Sequence, residues 1–319
     1  MTNGSTDPRV EVPDALAASH AKSSGDSGRA WIAALPRLAT EYLDRWALRR
    51  DGPPMCGAVA LVLPVVLADG ATAVLKLQPI DEETAGEPAA LRAWDGHGAV
   101  RLLRHDPDSG AMLLERLDAA RTLAAVSDDL AALRTLSELL ARLTALPAPP
   151  GMRRLTDIAA AMLDRVPQAL GLLPAADRRL VHHCAGAVRD LLPEAGDRLL
   201  HWDLHYDNVL ASVPDRHPAD RREPWLAIDP KPLAGDPGFE LLAALHNRWD
   251  DVMATGDVPR AVHMRLDLMT EILNLDRQRA VGWTLGRVLQ NMLWEAETGD
   301  TVGHTDPDRA IAHALLDRA

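Results

Sequence analysis

Three polar side chains near the middle of the chain have the types and spacing of a phosphoryl-transfer centre. Asp203 and Asn208 lie five residues apart in Leu200-His201-Trp202-Asp203-Leu204-His205-Tyr206-Asp207-Asn208-Val209-Leu210, and Asp229 closes the next apolar run, Trp225-Leu226-Ala227-Ile228-Asp229-Pro230. One carboxylate, Asp203, can receive a hydroxyl proton, while an amide and a second carboxylate, Asn208 and Asp229, can hold Mg²⁺ between nucleotide phosphates. A base facing the acceptor and ligands facing the metal must point at two ends of one transferring group, which a short loop achieves and a regular helix or strand does not. His201, two residues before Asp203, can hydrogen-bond backbone around the loop and so fix the Asp203 carboxylate.

The first segment resembles the H-x-D-x-x-x-x-N catalytic loop of the kinase-like phosphotransferases. The run Arg222-Glu223-Pro224-Trp225-Leu226-Ala227-Ile228-Asp229-Pro230-Lys231-Pro232-Leu233-Ala234-Gly235-Asp236-Pro237-Gly238-Phe239-Glu240-Leu241 is similar, almost residue for residue, to one branch of the aminoglycoside phosphotransferase family, the streptomycin 6-kinases and hydroxyurea phosphotransferases. Trp202 stands where many members of the wider family carry a small residue, and Asp207 where Gly is frequent; the tryptophan is typical of this branch. The resemblance covers residues 58–249 and is densest over 200–241. It implies an α+β, bilobal, protein-kinase-like fold with a small antiparallel β lobe and a larger, mainly helical lobe. It also implies ATP and Mg²⁺ as cofactors and O-phosphorylation of a small cationic acceptor, an aminoglycoside such as streptomycin, which inactivates the antibiotic. Hydroxyurea, another aminoglycoside or an endogenous metabolite remain open as acceptors.

Two other chemistries fit part of the same stretch. His201, Asp203 and His205 form an H-x-D-x-H triplet whose alternate residues, on a strand, face one way and suit Zn²⁺ or Mn²⁺ in a hydrolase. That reading needs further ligands elsewhere and leaves Asn208 and Asp229 without a role. A kinase-like protein that binds nucleotide without catalysis is the other alternative, although base and metal ligands are all present.

Elements that position these groups are legible on both sides. Residues 1–28, polar and rich in Ser, Gly and Asp, read as a mobile tail, and Arg29 to Leu48 repeats apolar residues at helical spacing across Pro36. Ala58–Leu67 and Ala71–Leu77 form a hairpin about Asp69-Gly70. Lys76 lies inside the apolar second strand, a place where a lysine is most often an exposed edge charge. On the kinase template, however, Lys76 holds nucleotide phosphates and Glu87, opening the helical pattern Glu87–Trp94, is its partner. Gly57 lies in the small-residue loop before the hairpin, where a phosphate-covering turn belongs and which serves equally well as a hairpin entry, and the resemblance implies that the exit segment with Glu115 and Leu117 meets adenine through backbone groups. From Asp118 the pattern turns helical, giving lobes of 29–117 and 118–319, with helices over 130–146, 155–170, 177–192, 239–249, 279–297 and 308–316. Residues 214–223 read as a solvated hairpin loop. Asp236, Glu240, Asp250, Asp251, Glu295 and Glu297 supply carboxylates for a cationic acceptor, Asp236 and Glu240 foremost because they follow Asp229 closely.

Bulk properties bound the class. The 319 residues suffice for a large core, and a net charge of −12 argues against nucleic acid as a partner. Two isolated cysteines, Cys56 and Cys184, make neither a disulfide framework nor a zinc site and point to a reducing cytoplasm. No apolar run reaches the ~18 residues of a membrane span, and no signal peptide is expected. We expect a monomer that binds nucleotide and a small molecule.

Overall fold

The computed structural model describes residues 10–213, 222–298 and 306–317. The chain divides into two compact units, one holding the described residues up to Gly96 together with Val100–Leu117, the other His97–Ala99 and the described residues from Asp118 onward.

The smaller unit opens with α1 (Asp14–Arg45). Residues 14–28 are thus helical rather than a tail, while residues 1–9 of the expected tail lie outside the described residues. Polar composition concealed the helix because its solvent side carries the Ser, Lys and Asp, whereas Leu16 and His20 are buried. Ser19 Oγ donates to the Ala58 carbonyl at 2.8 Å and His20 Nε2 to the Val59 carbonyl at 3.0 Å, tying the helix to a strand turn. Gly25 takes a non-helical φ of 53°, which kinks the helix.

β1 (Arg49–Arg50), β2 (Met55–Cys56), β3 (Leu61–Val66), β4 (Thr72–Leu77), β5 (Leu102–His105) and β6 (Met112–Glu115) form one antiparallel sheet. Its order is β1-β3-β4-β6-β5, with β2 sharing the β3 edge with β1. That edge breaks at Gly52-Pro53-Pro54, opposite Pro64. The Pro64 carbonyl accepts from Asp51 at 2.9 Å, so its missing N–H faces the same break. Gly70 supplies the φ of 86° that the β3–β4 turn needs. Alternation along β4 sends Ala73, Leu75 and Leu77 into a core with Leu61, Leu63, Val65 and Leu113, covered by Leu35, Ala39 and Tyr42 of α1. A fully buried leucine in such a layer contributes about 1.5–3 kcal/mol. Lys76 and Gln78 therefore point to the other face, toward α2 (Glu87–Trp94).

In the larger unit, β7 (Leu117–Thr122), β9 (Val209–Ser212) and β10 (Trp225–Ala227) make a sheet in the order β10-β9-β7, and β8 (Arg198–Leu200) pairs with β11 (Leu233–Gly235). Around these ribbons stand α3 (Asp129–Leu143), α4 (Leu155–Leu172), α5 (Ala175–Leu191), α6 (Leu241–Leu245), α7 (Trp249–Ala254), α8 (Val258–Leu273), α9 (Arg277–Thr298) and α10 (Pro307–Leu316). The single helix expected over 239–249 is instead a 3₁₀ turn, Pro237–Glu240, then α6 and α7, broken at Arg248 with φ 49°. Arg248 holds that break by donating to the Ala124 carbonyl at 3.0 Å and to the Val126 carbonyl. Residues 214–221 of the expected hairpin loop lie outside the described residues. Among the described residues no helix is long and apolar enough to cross a membrane.

Candidate active site

In the smaller unit the structure joins Lys76 to Glu87. Nζ lies 2.7 and 2.9 Å from the two carboxylate oxygens, and Gln78 Nε2 donates to Oε2 at 2.6 Å. The two charged side chains are 6% and 1% exposed, so each charge depends on the other for solvation. Glu87 also sits in the first turn of α2, with Pro88 beside it, where the helix dipole favours an acid. The Gly57 N–H donates to the Ala60 carbonyl at 3.0 Å and closes the β2–β3 turn, the hairpin entry that its loop also offered. Glu115 clamps the sheet edge, its carboxylate accepting the Arg101 N–H at 2.9 Å and its own N–H donating to the Arg101 carbonyl at 2.9 Å. Leu117 is buried.

In the larger unit strand register builds the centre. His201 to Asn208 connect β8 to β9, and Ile228 to Pro232 connect β10 to β11. Leu200 pairs with Leu233 and Val209 with Ala227, so the two loops are pinched together at both ends. Main-chain bonds fasten them further, Ile228 N–H to the Asn208 carbonyl at 2.9 Å and Lys231 N–H to the His201 carbonyl at 3.0 Å. His201 completes the tie. A carbonyl can only accept, so Nε2 donates to the Ile228 carbonyl at 2.9 Å, and Nδ1 is left to accept from the Asp203 N–H at 3.3 Å. Burial lowers the His201 ring to about 4, which keeps it neutral in this tautomer.

Asp203 is a quarter exposed, with Lys231 Nζ 3.2 Å from Oδ2. Asn208 Nδ2 donates to the Asp203 carbonyl at 2.9 Å, which fixes the amide and turns its oxygen the other way. Asp229 follows Ile228 at φ 57°, a left-handed conformation that costs a non-glycine residue about 1–2 kcal/mol. An amide oxygen and a carboxylate on adjacent, mutually bonded loops are hard oxygen donors of the kind Mg²⁺ takes.

Trp202 also takes a positive φ, 68°, and its N–H is held by Glu240. The Glu240 carboxylate is buried and accepts the N–H of His201 at 2.5 Å and that of Trp202 at 2.9 and 3.0 Å. Burial pushes it up to about 7, against the pull of those two hydrogen bonds and of Arg287. Glu240 therefore shapes the loop and offers no oxygen to an acceptor, contrary to the sequence expectation. Asp236 departs from it for the same reason: it is buried, caps the 3₁₀ turn by accepting the Gly238 N–H at 2.8 Å, and pairs with Arg279 at 2.5 Å. The guanidinium groups of Arg153 and Arg287 lie over the Trp202 ring at 4.7 and 4.4 Å, which holds the residue beside Asp203 in place.

A cavity of about 360 Å³ opens beside Asp203, lined also by His205, Asp207, His246, Asn247, Arg248, Arg287 and Asn291. Of the six carboxylates expected to meet a cation, none lines it: Asp250 and Asp251 are exposed on α7, Glu295 pairs with Arg309 and Glu297 with Arg165. Asp207, His246 and Asn291 were missed because elements distant in sequence bring them together. Lys231 was visible in the Asp-Pro-Lys-Pro run but carried no signal of its partner.

The hydrolase triplet does not form. Both His201 nitrogens are committed to backbone. Among the described residues the only three acid or imidazole groups with ligand atoms within 4.8 Å of one another are Glu295, Asp306 and Asp308, with Arg309 paired to two of them.

The architecture is shared with protein-kinase-like phosphotransferases. A choline/ethanolamine kinase family protein from Mesorhizobium loti superposes with a TM-score of 0.54 at 20% identity, covering 92% of each chain. Sequence narrows this: the family model for aminoglycoside/hydroxyurea antibiotic resistance kinases matches residues 45–299. A streptomycin 6-kinase of Streptomyces glaucescens is 59% identical over 92% of this chain and 94% of its own, and one of Streptomyces griseus is 54% identical over 98% and 99%. The chain belongs to the aminoglycoside/hydroxyurea antibiotic resistance kinase family, and it is a phosphotransferase.

Proposed function

We propose that this protein transfers the γ-phosphoryl group of ATP, with Mg²⁺, to a hydroxyl of an aminoglycoside, streptomycin first among them, and so inactivates the antibiotic. The observation that carries the reading is that Asp203 lines a cavity in a chain 59% and 54% identical, over nearly its whole length, to two streptomycin 6-kinases. In this reading Asp203 orients the acceptor hydroxyl and takes its proton as the oxygen bonds to phosphorus and the bond to the departing ADP breaks. Asn208 and Asp229 are the residues that hold Mg²⁺, which when bound neutralises charge on the phosphates. Lys76, kept in place by Glu87, holds the phosphates. Leu117 and Glu115 lie in the segment assigned to adenine. Glu240, Trp202 and His201 fix the loop that carries the base, which supports a preorganised rather than an induced site.

The test is a panel of acceptors, streptomycin, an aminoglycoside without guanidino groups, and hydroxyurea, incubated with γ-labelled ATP and Mg²⁺. Label on streptomycin with wild type and none with Asp203→Ala is the expected result. Transfer to hydroxyurea with none to streptomycin overturns the acceptor assignment.

A further inference from the structure

We propose that His246 and Asn291 recognise the acceptor in the cavity beside Asp203, and that buried Asp308 sets the polarity they present. The proposal rests on the reading that this cavity takes the phosphoryl acceptor.

Asp308, in the first turn of α10, is 5% exposed. One of its oxygens lies 2.6 Å from His246 Nε2 and the other accepts from Asn291 Nδ2 at 2.8 Å. A carboxylate only accepts, so both partners turn their N–H groups inward. His246 Nδ1 and Asn291 Oδ1 are thereby the atoms left off Asp308 in two residues that line the cavity. Neither atom has another protein partner among the described residues.

The cations of the lining are engaged elsewhere. Arg248 donates to the carbonyls of Ala124, Val126 and Ser127, and Arg287 lies over the Trp202 and Phe239 rings and donates to Gln290. Beside His205 and Asn247, the cavity offers a ligand the acceptors Asp203, Asp207 and Asn291 Oδ1, together with the outward nitrogen of His246. The complementary ligand is dense in N–H donors, a guanidinium or ammonium group attached to the hydroxyl-bearing ring. This selection works through hydrogen-bond polarity, since two carboxylates and two guanidinium groups balance in formal charge around the cavity.

Calorimetric binding of streptomycin and steady-state kinetics test it on wild type, His246→Leu, Asn291→Leu and Asp308→Asn. Each substitution is expected to raise the streptomycin Kd and KM about tenfold, one hydrogen bond's worth, with the loss falling on acceptor KM rather than on kcat or on the KM for ATP. Asp308→Asn keeps an accepting oxygen for one partner and sets an N–H against the other, so it should act at least through the second. Should that variant fail to fold, the half-buried His246 and Asn291 decide the matter. Unchanged streptomycin Kd in both single variants overturns the proposal, as does failure of wild type to bind streptomycin at all. Wild type that binds streptomycin but does not phosphorylate it overturns the proposed function, while weaker binding by the variants would still uphold this assignment.

Discussion

The Lys231 ammonium stands 3.2 Å from the Asp203 carboxylate, and the Lys231 N–H is bonded to the His201 carbonyl two residues before that carboxylate. Side chain and main chain of one residue thus fix Asp203 from both directions. Lys231→Met is expected to lower kcat about tenfold, less than the 10²–10⁴-fold associated with a general base itself. Lys231→Arg should recover most of the loss. Steady-state kinetics decide it, and a Lys231→Met enzyme with wild-type kcat would remove Lys231 from the account.

Lys76 and Glu87 should separate stability from activity. Lys76→Met takes the neutralising cation from the buried Glu87 carboxylate, a loss of about 3–5 kcal/mol, and should raise the KM for ATP. The double variant Lys76→Met/Glu87→Met should regain most of the thermal stability, because an apolar pair of similar volume replaces the buried ions. It should regain no activity. Calorimetry beside kinetics reads both; recovery of turnover in the double variant would contradict the phosphate role.

Glu240 carries a pH signature. Its folded value of about 7 lies above the ordinary 4.5, so the folded state holds this proton more tightly than the unfolded chain. The resulting stability is fully present below the unfolded value and is lost as pH rises through about 7. Relative to Glu240→Gln, wild type should lose on the order of 3 kcal/mol between pH 4.5 and 8, measured by denaturant titration. An identical difference at both ends of that range would show that the group is not held as described. Glu240→Ala, which frees the Trp202 and His201 amides, should also lower kcat.

His201 shifts the opposite way. Burial lowers it from 6.5 to about 4, so its contribution is present above 6.5 and is lost as pH falls through about 4. Nitrogen NMR of labelled histidine at pH 6 should find Nε2 protonated and Nδ1 bare. A protonated Nδ1 would break the link drawn between the two loops.

Much of this centre could be read from the chain because its signals are local. Asp203, Asn208 and Asp229 sit at fixed places in loops between short apolar strands, and Lys76 stands out inside one. Helix α2 begins and ends where Glu87 and Trp94 put it. The losses came where burial, which spacing does not encode, decides the role. Glu240 and Asp236 have the residue type of cation ligands, yet one is spent on two backbone amides and the other on Arg279 and a cap. His246, Asn291 and Asp308 lie on three elements and converge only through the packing of α9 and α10. Residues 14–28 looked like a tail because few apolar positions, Leu16 among them, suffice when Ser19 and His20 dock by hydrogen bonds.

The most direct test is the turnover of Asp203→Asn with streptomycin and γ-labelled ATP, measured alongside streptomycin binding by calorimetry. A kcat lower by about 10²–10⁴-fold, against a rise in the streptomycin Kd of no more than about tenfold from the lost cavity carboxylate, is the predicted result. An Asp203→Asn enzyme that turns over like wild type would contradict the assignment of this carboxylate as the base.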